Sequence, residues 1–218
     1  MKPKIDYSLY LVTDSGLSAG RSHEEIVSCA LRGGATIVQF REKESCTRDM
    51  VQTARRLGDL CRLHGAPFIV NDRLDVALAV NADGIHVGQE DMPAALARKL
   101  IGPDRILGVT AHNVEEALQA IAGGADYIGA SPVFATSTKT DAGDPIGPDG
   151  LAAIAQISCV PVVGISGINA VNAAQVINAG AAGVAVVSAI ISAKDVEAAA
   201  RELRRIVLAA HASGTSGG

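Results

Sequence analysis

Short apolar runs and helical stretches alternate eight times along this chain, and no other property limits its fold as tightly. The apolar runs are residues 9–13, 36–41, 68–71, 84–87, 106–110, 127–131, 161–166 and 183–187. They lack strict polar alternation, as expected of strands buried on both faces of a parallel sheet. Helical patterns over 24–32, 48–64, 75–80, 94–100, 114–122, 150–157, 170–179 and 196–210 fill the intervals. Ser22 stands before His23-Glu24-Glu25 as a capping box, Thr47 before Arg48-Asp49, and Asn113 before Val114-Glu115-Glu116.

The joints between helix and strand are equally regular. Gly33-Gly34-Ala35 precedes the second run, Asn81-Ala82-Asp83 the fourth, Gly123-Gly124-Ala125-Asp126 the sixth and Ala179-Gly180-Ala181 the eighth. A glycine or asparagine in the left-handed conformation ends each of these helices, and the next strand begins at once. Eight such units predict a closed (β/α)8 TIM barrel of the α/β class over residues 1–212, one catalytic domain. The polar, Gly-rich residues 213–218 read as a disordered tail. An open doubly wound sheet is the rival. It would carry a Gly-rich fingerprint after its first strand, where this chain has Thr13-Asp14-Ser15-Gly16.

Composition narrows the function. Of the 218 residues, 48% are hydrophobic but only 3% aromatic, so Val, Ile, Leu and Ala must build the core. The net charge of −4 and the absence of any basic block argue against a nucleic-acid partner. Cys29, Cys46, Cys61 and Cys159 are irregularly spaced with no CxxC pair, so idle thiols in a reducing compartment are expected. No run approaches the ~18 apolar residues of a membrane span, and Met1-Lys2-Pro3-Lys4 opens no signal region. A cytoplasmic enzyme for small molecules is the expectation, with no membrane partner and a homo-oligomer left open.

In a barrel, polar residues at strand C-termini gather at one mouth. The second run ends Gln39-Phe40-Arg41-Glu42-Lys43. Alternation sends Gln39, Arg41 and Lys43 one way, and Phe40 and Glu42 the other. Two cations and an amide on an inward face call for an anionic ligand, the plain alternative being a solvated strand end. Asp72, after Asn71, and Asp91 stand at neighbouring strand ends and suit a shared Mg2+, with Glu90 as an outer partner. Both aspartates also sit where a helix N-cap would. Thr110 suits a phosphate donor, while His112 reads equally as an acid–base group or a cap. The long loop 132–148 holds Thr136-Ser137-Thr138-Lys139, either an anion clamp on a closing lid or a solvated segment. Gly167 offers a bare amide, and Ser188 starts a short helical stretch over 189–192; together they suit a monophosphate. One mouth with a diphosphate site and a monophosphate site results. No nucleophile–base pair stands out, so positioning and charge neutralisation are the expected chemistry.

Several of these strand ends sit in longer motifs. They are Tyr10-Leu11-Val12-Thr13-Asp14, Val38-Gln39-Phe40-Arg41-Glu42-Lys43, Ile69-Val70-Asn71-Asp72-Arg73, Gly84-Ile85-His86-Val87-Gly88-Gln89-Glu90-Asp91, Ser131-Pro132-Val133-Phe134-Ala135-Thr136-Ser137-Thr138-Lys139 and Gly164-Ile165-Ser166-Gly167-Ile168. In order and spacing they resemble the thiamine-phosphate synthase family, from about Tyr10 to Ser188. The resemblance implies a Mg2+-assisted transferase that joins a hydroxymethylpyrimidine diphosphate to a thiazole phosphate, releasing diphosphate. It implies that Gln39, Arg41, Lys43, Asn71, Thr110 and Lys139 hold the pyrimidine diphosphate, with Arg41, Lys43, Thr110 and Lys139 in catalytic roles. Asp72 and Asp91 would bind the metal. Thr136, Thr138, Gly167, Val187 and Ser188 would meet the thiazole phosphate. Thr110 stands where the family often has Ser, Ala135 where it often has Pro, and Ser166 at the first of a usual Gly-Gly pair. Alternatives are the related thiazole tautomerase, which would use a histidine such as His112, a non-catalytic thiamine-phosphate-binding module, and another phosphate-handling lyase or isomerase barrel.

Overall fold

The computed structural model describes residues 5–136 and 143–214. Its eight parallel strands are β1 (Leu9–Val12), β2 (Ile37–Phe40), β3 (Phe68–Asn71), β4 (Gly84–Val87), β5 (Ile106–Ala111), β6 (Tyr127–Ala130), β7 (Val162–Ile165) and β8 (Gly183–Val186). They pair in sequence order, and the ring closes where β1 pairs with β8, Leu9 opposite Val184. Closure leaves no strand edge unpaired. The helices on the outside are α1 (His23–Arg32), α2 (Thr47–Leu63), α3 (Leu74–Ala79), α4 (Ala94–Ile101), α5 (Val114–Ala122), α6 (Gly147–Ile157), α7 (Ala173–Asn178), α8 (Ser188–Ile191) and α9 (Val196–Gly214).

The helix-to-strand joints adopt the expected geometry. Gly34, Asn81, Gly124 and Gly180 have φ of 102°, 53°, 90° and 98°. Two of the expected caps form: Ser22 Oγ accepts from Glu25 N at 3.1 Å, and Asn113 Oδ1 from Glu116 N at 2.9 Å. The third does not. Cys46 occupies the N-cap position of α2, and Thr47 is the first helical residue. The Thr47 hydroxyl instead accepts from Arg73 Nη2 at 2.9 Å. Helix α6 starts at Gly147, ahead of the expected residue 150, with Pro148 in its first turn, where a missing N–H costs nothing. Helix α7 starts later than expected. Asn169 Oδ1 accepts from Val171 N and Asn172 Oδ1 from Asn169 N, both at 2.8 Å, and these turns hold the backbone out of the helix. At the other end, α9 carries Ser213 and Gly214, which the sequence placed in a tail; the rest of that tail lies outside the described residues.

Two cores result from strands buried on both faces. Leu11, Val38, Val70, Ile85, Leu107, Ile128 and Val184 point outward and pack under the helices with Leu57, Ala97, Leu151 and Val207. Tyr7, Tyr10, Ile37, Ile69, Ile106, Tyr127, Val163 and Ala185 fill the barrel itself. The interior is narrow, so large side chains on some strands require bare backbone on others. A Cβ added at Gly108 would overlap the Tyr127 phenol. Three tyrosines and a few aliphatics therefore plug the barrel below the mouth.

The two cores predict opposite outcomes for one added methyl group. Gly108→Ala should lower stability by about 1–3 kcal/mol, because the phenol has nowhere to go. Gly58→Ala, inside α2, places its Cβ 3.4 Å from Phe68 in ordinary contact and should stabilise by up to about 1 kcal/mol. Urea unfolding of both variants reads the signs directly.

Candidate active site

The C-terminal ends of the strands enclose one cavity. Gln39, Arg41, Lys43, Asn71, Asp72, Asp91, Thr110, Thr136, Gly167, Val187 and Ser188, all singled out in the sequence, line it. Thr138 and Lys139, with Ser137, lie outside the described residues. A larger groove of about 820 Å³ lies at the opposite face of the barrel. Two ion pairs sit in its wall, Arg62 with Asp59 and Arg204 with Asp6.

The β2 alternation is as expected. Gln39 is buried facing inward, Phe40 packs in the outer core, and Glu42 turns away to His23, 3.6 Å off. The cations of this strand end are not left bare. Arg41 Nη1 donates to Asp14 Oδ2 at 2.5 Å, and Lys43 Nζ lies 3.8 Å from Asp72 Oδ2. Sequence reasoning gave Asp14 no role, although its place just after β1 matches that of the other mouth residues.

Neither aspartate caps a helix. The N-cap of α3 is Arg73 and that of α4 is Pro93. Asp72 has φ 58°, a left-handed conformation that costs a non-glycine residue energy and turns its carboxyl toward the mouth. Its backbone N–H donates to the His86 carbonyl at 2.8 Å, and Asp91 Oδ2 accepts from Gly88 N at 2.8 Å. Burial pushes the Asp72 carboxyl up to about 6, the facing Asp91 carboxyl adds to this, and Lys43 and Arg41 oppose it. A half-buried carboxylate and an exposed one that repel across a small gap are the electrostatic form of a hard-cation site. Among the described residues no group of three or more His, Cys, Asp or Glu gathers. The protein thus offers two carboxylates, the donor set that suits Mg2+ completed by water and phosphate oxygens. Glu90 is exposed and does not line the cavity.

The histidine at the mouth is His86, not His112. His112 Nδ1 bonds Glu116 Oε2 at 2.8 Å, next to the start of α5, and does not line the cavity. His86 sits inside the barrel with Nε2 2.9 Å from Thr110 Oγ1 and Nδ1 2.8 Å from the Tyr127 hydroxyl. The sequence held a signal for it: a lone polar residue between Gly84 and Gly88 on the face opposite Ile85 and Val87.

Behind the mouth, Ser166 and Gly167 follow β7 with φ of 79° and 67°. The segment after β6 zips onto them, with Val133 N donating to Ile165 O at 2.9 Å and Phe134 N to Ser166 O at 3.1 Å. A side chain at Gly167 would overlap Phe134 and the Ala135 carbonyl. Ser188 opens α8 as its first residue, as expected.

A family model described as thiamine monophosphate synthase matches residues 9–190. A thiamine-phosphate synthase of Chloroflexus aurantiacus is 61% identical over 203 residues, covering 93% of this chain and 94% of its own. One from Moorella thermoacetica is 56% identical over 201 residues, covering 92% and 96%. A solved structure of thiamine phosphate pyrophosphorylase from Pyrococcus furiosus superposes with a TM-score of 0.87 at 45% identity, covering 94% of this chain and 97% of that one.

Burial of His86 sets an acid limit on the fold. Desolvation lowers its pKa from the ordinary 6.5 to about 4, opposed only by the Asp91 charge. The unfolded chain therefore takes up the proton first as pH falls. Stability from neutral His86 is complete above about 6.5 and lost progressively toward about 4, roughly 3 kcal/mol in all. Urea unfolding between pH 7 and 4.5 should show a shallower loss in His86→Gln than in the parent chain. Parallel slopes would mean that His86 titrates normally.

Proposed function

The chain belongs to the thiamine monophosphate synthase family, and from that premise we propose how its own side chains conduct the family's reaction at this mouth. The enzyme transfers a pyrimidinylmethyl group with release of diphosphate. The observation that carries the reading is the Asp72–Asp91 pair, held face to face beside Lys43 and Arg41. That arrangement fits a diphosphate bound through Mg2+ and has no use in a barrel that handles only a monophosphate.

In this reading Gln39 and Asn71 orient the pyrimidine diphosphate, with Lys139 as a further contact. Arg41, Lys43 and Thr110 receive the charge that builds on the leaving diphosphate. The C–O bond of the pyrimidinylmethyl group breaks, its electron pair leaves with the diphosphate, and the thiazole nitrogen donates its lone pair to the resulting cation. Mg2+ held by Asp72 and Asp91 would supply charge neutralisation at the phosphate oxygens. Thr136, Thr138, the amide at Gly167, Val187 and Ser188 hold the thiazole phosphate so that its nitrogen faces the reacting carbon. No general base is needed, which agrees with a buried, hydrogen-bonded His86 and with His112 tied to Glu116. The tautomerase alternative loses its candidate histidine for the same reason. Four free cysteines suit a reducing cytoplasm, and no described helix is long and apolar enough to cross a membrane.

Thiamine phosphate formation from the two substrates should require Mg2+ and stop with chelator. A folded protein without product under these conditions would leave a binding module. Asp72→Ala and Asp91→Ala should each lower turnover by at least on the order of 10²-fold while far-UV circular dichroism stays unchanged. Full activity in both variants would remove the metal assignment.

A further inference from the structure

Five polar side chains from five strands form one continuous string of hydrogen bonds through the top of the barrel. Gln39 Nε2 donates to the Tyr10 hydroxyl at 2.9 Å. The Tyr10 hydroxyl meets that of Tyr127 at 2.8 Å. The Tyr127 hydroxyl meets His86 Nδ1 at 2.8 Å, and His86 Nε2 meets Thr110 Oγ1 at 2.9 Å. Tyr10 and Tyr127 are each only 1% exposed, so their hydroxyl hydrogens must find partners within the string, while Gln39 and His86, also buried, reach the wall of the cavity.

Counting hydrogens gives the string a direction. The Gln39 amide nitrogen can only donate, so the Tyr10 oxygen accepts. The single hydrogen of Tyr10 then finds the Tyr127 oxygen as its one acceptor among the described residues. The hydrogen of Tyr127 in turn goes to His86 Nδ1. An accepting Nδ1 carries no proton, so neutral imidazole keeps its proton on Nε2 and donates it to Thr110 Oγ1. With Gln39 Nε2 turned to Tyr10, reversing the Tyr10–Tyr127 link strands the Tyr10 hydrogen, and reversing the Tyr127–His86 link strands that of Tyr127, among the described residues. The desolvation that holds His86 neutral acts in the same sense.

We propose that His86 is a positioning residue: the string from Gln39 locks it as the Nε2–H tautomer, and this commits the Thr110 hydroxyl to donate its hydrogen into the mouth. Thr110 lines the cavity with one lone pair already occupied by His86. Its hydrogen is then presented to an acceptor atom on the bound ligand. On the reading above that ligand is the pyrimidine diphosphate. Such a site favours a ligand with a lone pair at this point over one presenting an N–H, because the latter leaves two donors facing each other. Nothing in the string transfers a proton. It sets the polarity of one contact from the far wall of the barrel.

Long-range 1H–15N correlation spectra of the parent protein read the tautomer directly. The expected result is a protonated Nε2 and a bare Nδ1 on His86, unchanged from pH 6 to 8.5. A protonated Nδ1, or imidazolium at pH 7, overturns the proposal. Kinetics supply the second test. Tyr127→Phe keeps the ring and removes the hydrogen aimed at Nδ1. It should lower kcat about tenfold, with a smaller change in KM. Thr110→Ser retains the hydroxyl and should stay as sensitive to Tyr127→Phe as the parent. Thr110→Val should lower kcat on the order of 10²-fold, and adding Tyr127→Phe to it should cost nothing more. Additive losses would mean that Tyr127 and His86 act only as packing, and would sink the idea. Absence of thiamine phosphate formation by the parent protein would instead overturn the functional reading and leave the tautomer result standing.

Discussion

The inner volume of the barrel is the constraint on which the rest depends. Eight short strands closed in sequence order leave a narrow interior. Tyr7, Tyr10 and Tyr127 share it with aliphatic side chains, and Tyr127 lies against Gly108. The phenols of Tyr10 and Tyr127 are apolar bodies below and polar tips above. The same rings thus plug the barrel and begin its polar layer. Mouth residues are set on this filled floor, which fixes their heights and angles better than a loop would.

Charge at the mouth is balanced in pairs that a ligand can reorganise. Arg41 leans on Asp14, Lys43 approaches Asp72, and Asp72 and Asp91 repel each other. On the proposed reading, a diphosphate arriving with a divalent cation would satisfy both halves at once: Asp72 and Asp91 would hold the cation, which would neutralise their repulsion, and Arg41 and Lys43 would meet the phosphates. On that reading the unfavourable carboxylate pair is a ground-state cost that binding would remove, and affinity for the charged end of the substrate would follow from it.

How far the sequence went can be told from particular residues. The eight runs, the left-handed turns at Gly34, Asn81, Gly124 and Gly180, and the inward set Gln39 and Arg41 were legible, because each rests on local periodicity or on backbone sterics. The caps divided on a finer point. Ser22 and Asn113 bond their own helices, whereas Thr47 finds a better partner in Arg73, a contact set by tertiary packing. Asp14 and His86 were missed because their roles depend on partners from other strands, Arg41 in one case and Tyr127 with Thr110 in the other. The N-cap reading of Asp72 failed for a related reason. Strain at its φ of 58° redirects a side chain that position alone would assign to a helix end.

The two ends of the barrel differ in what holds them. Helix-to-strand joints are short and most turn on one residue with positive φ, the joint between α6 and β7 having none, while strand-to-helix segments line the mouth. One exception binds a functional segment to the scaffold: Gly167, whose bare α-carbon lets the backbone at Phe134 and Ala135 settle onto it. The segment after β6 is thereby indexed to β7, the strand that on the proposed reading presents the phosphate site. Drift at this glycine would be read out as misalignment between two substrates, a loss of mutual aim that neither binding constant alone would reveal.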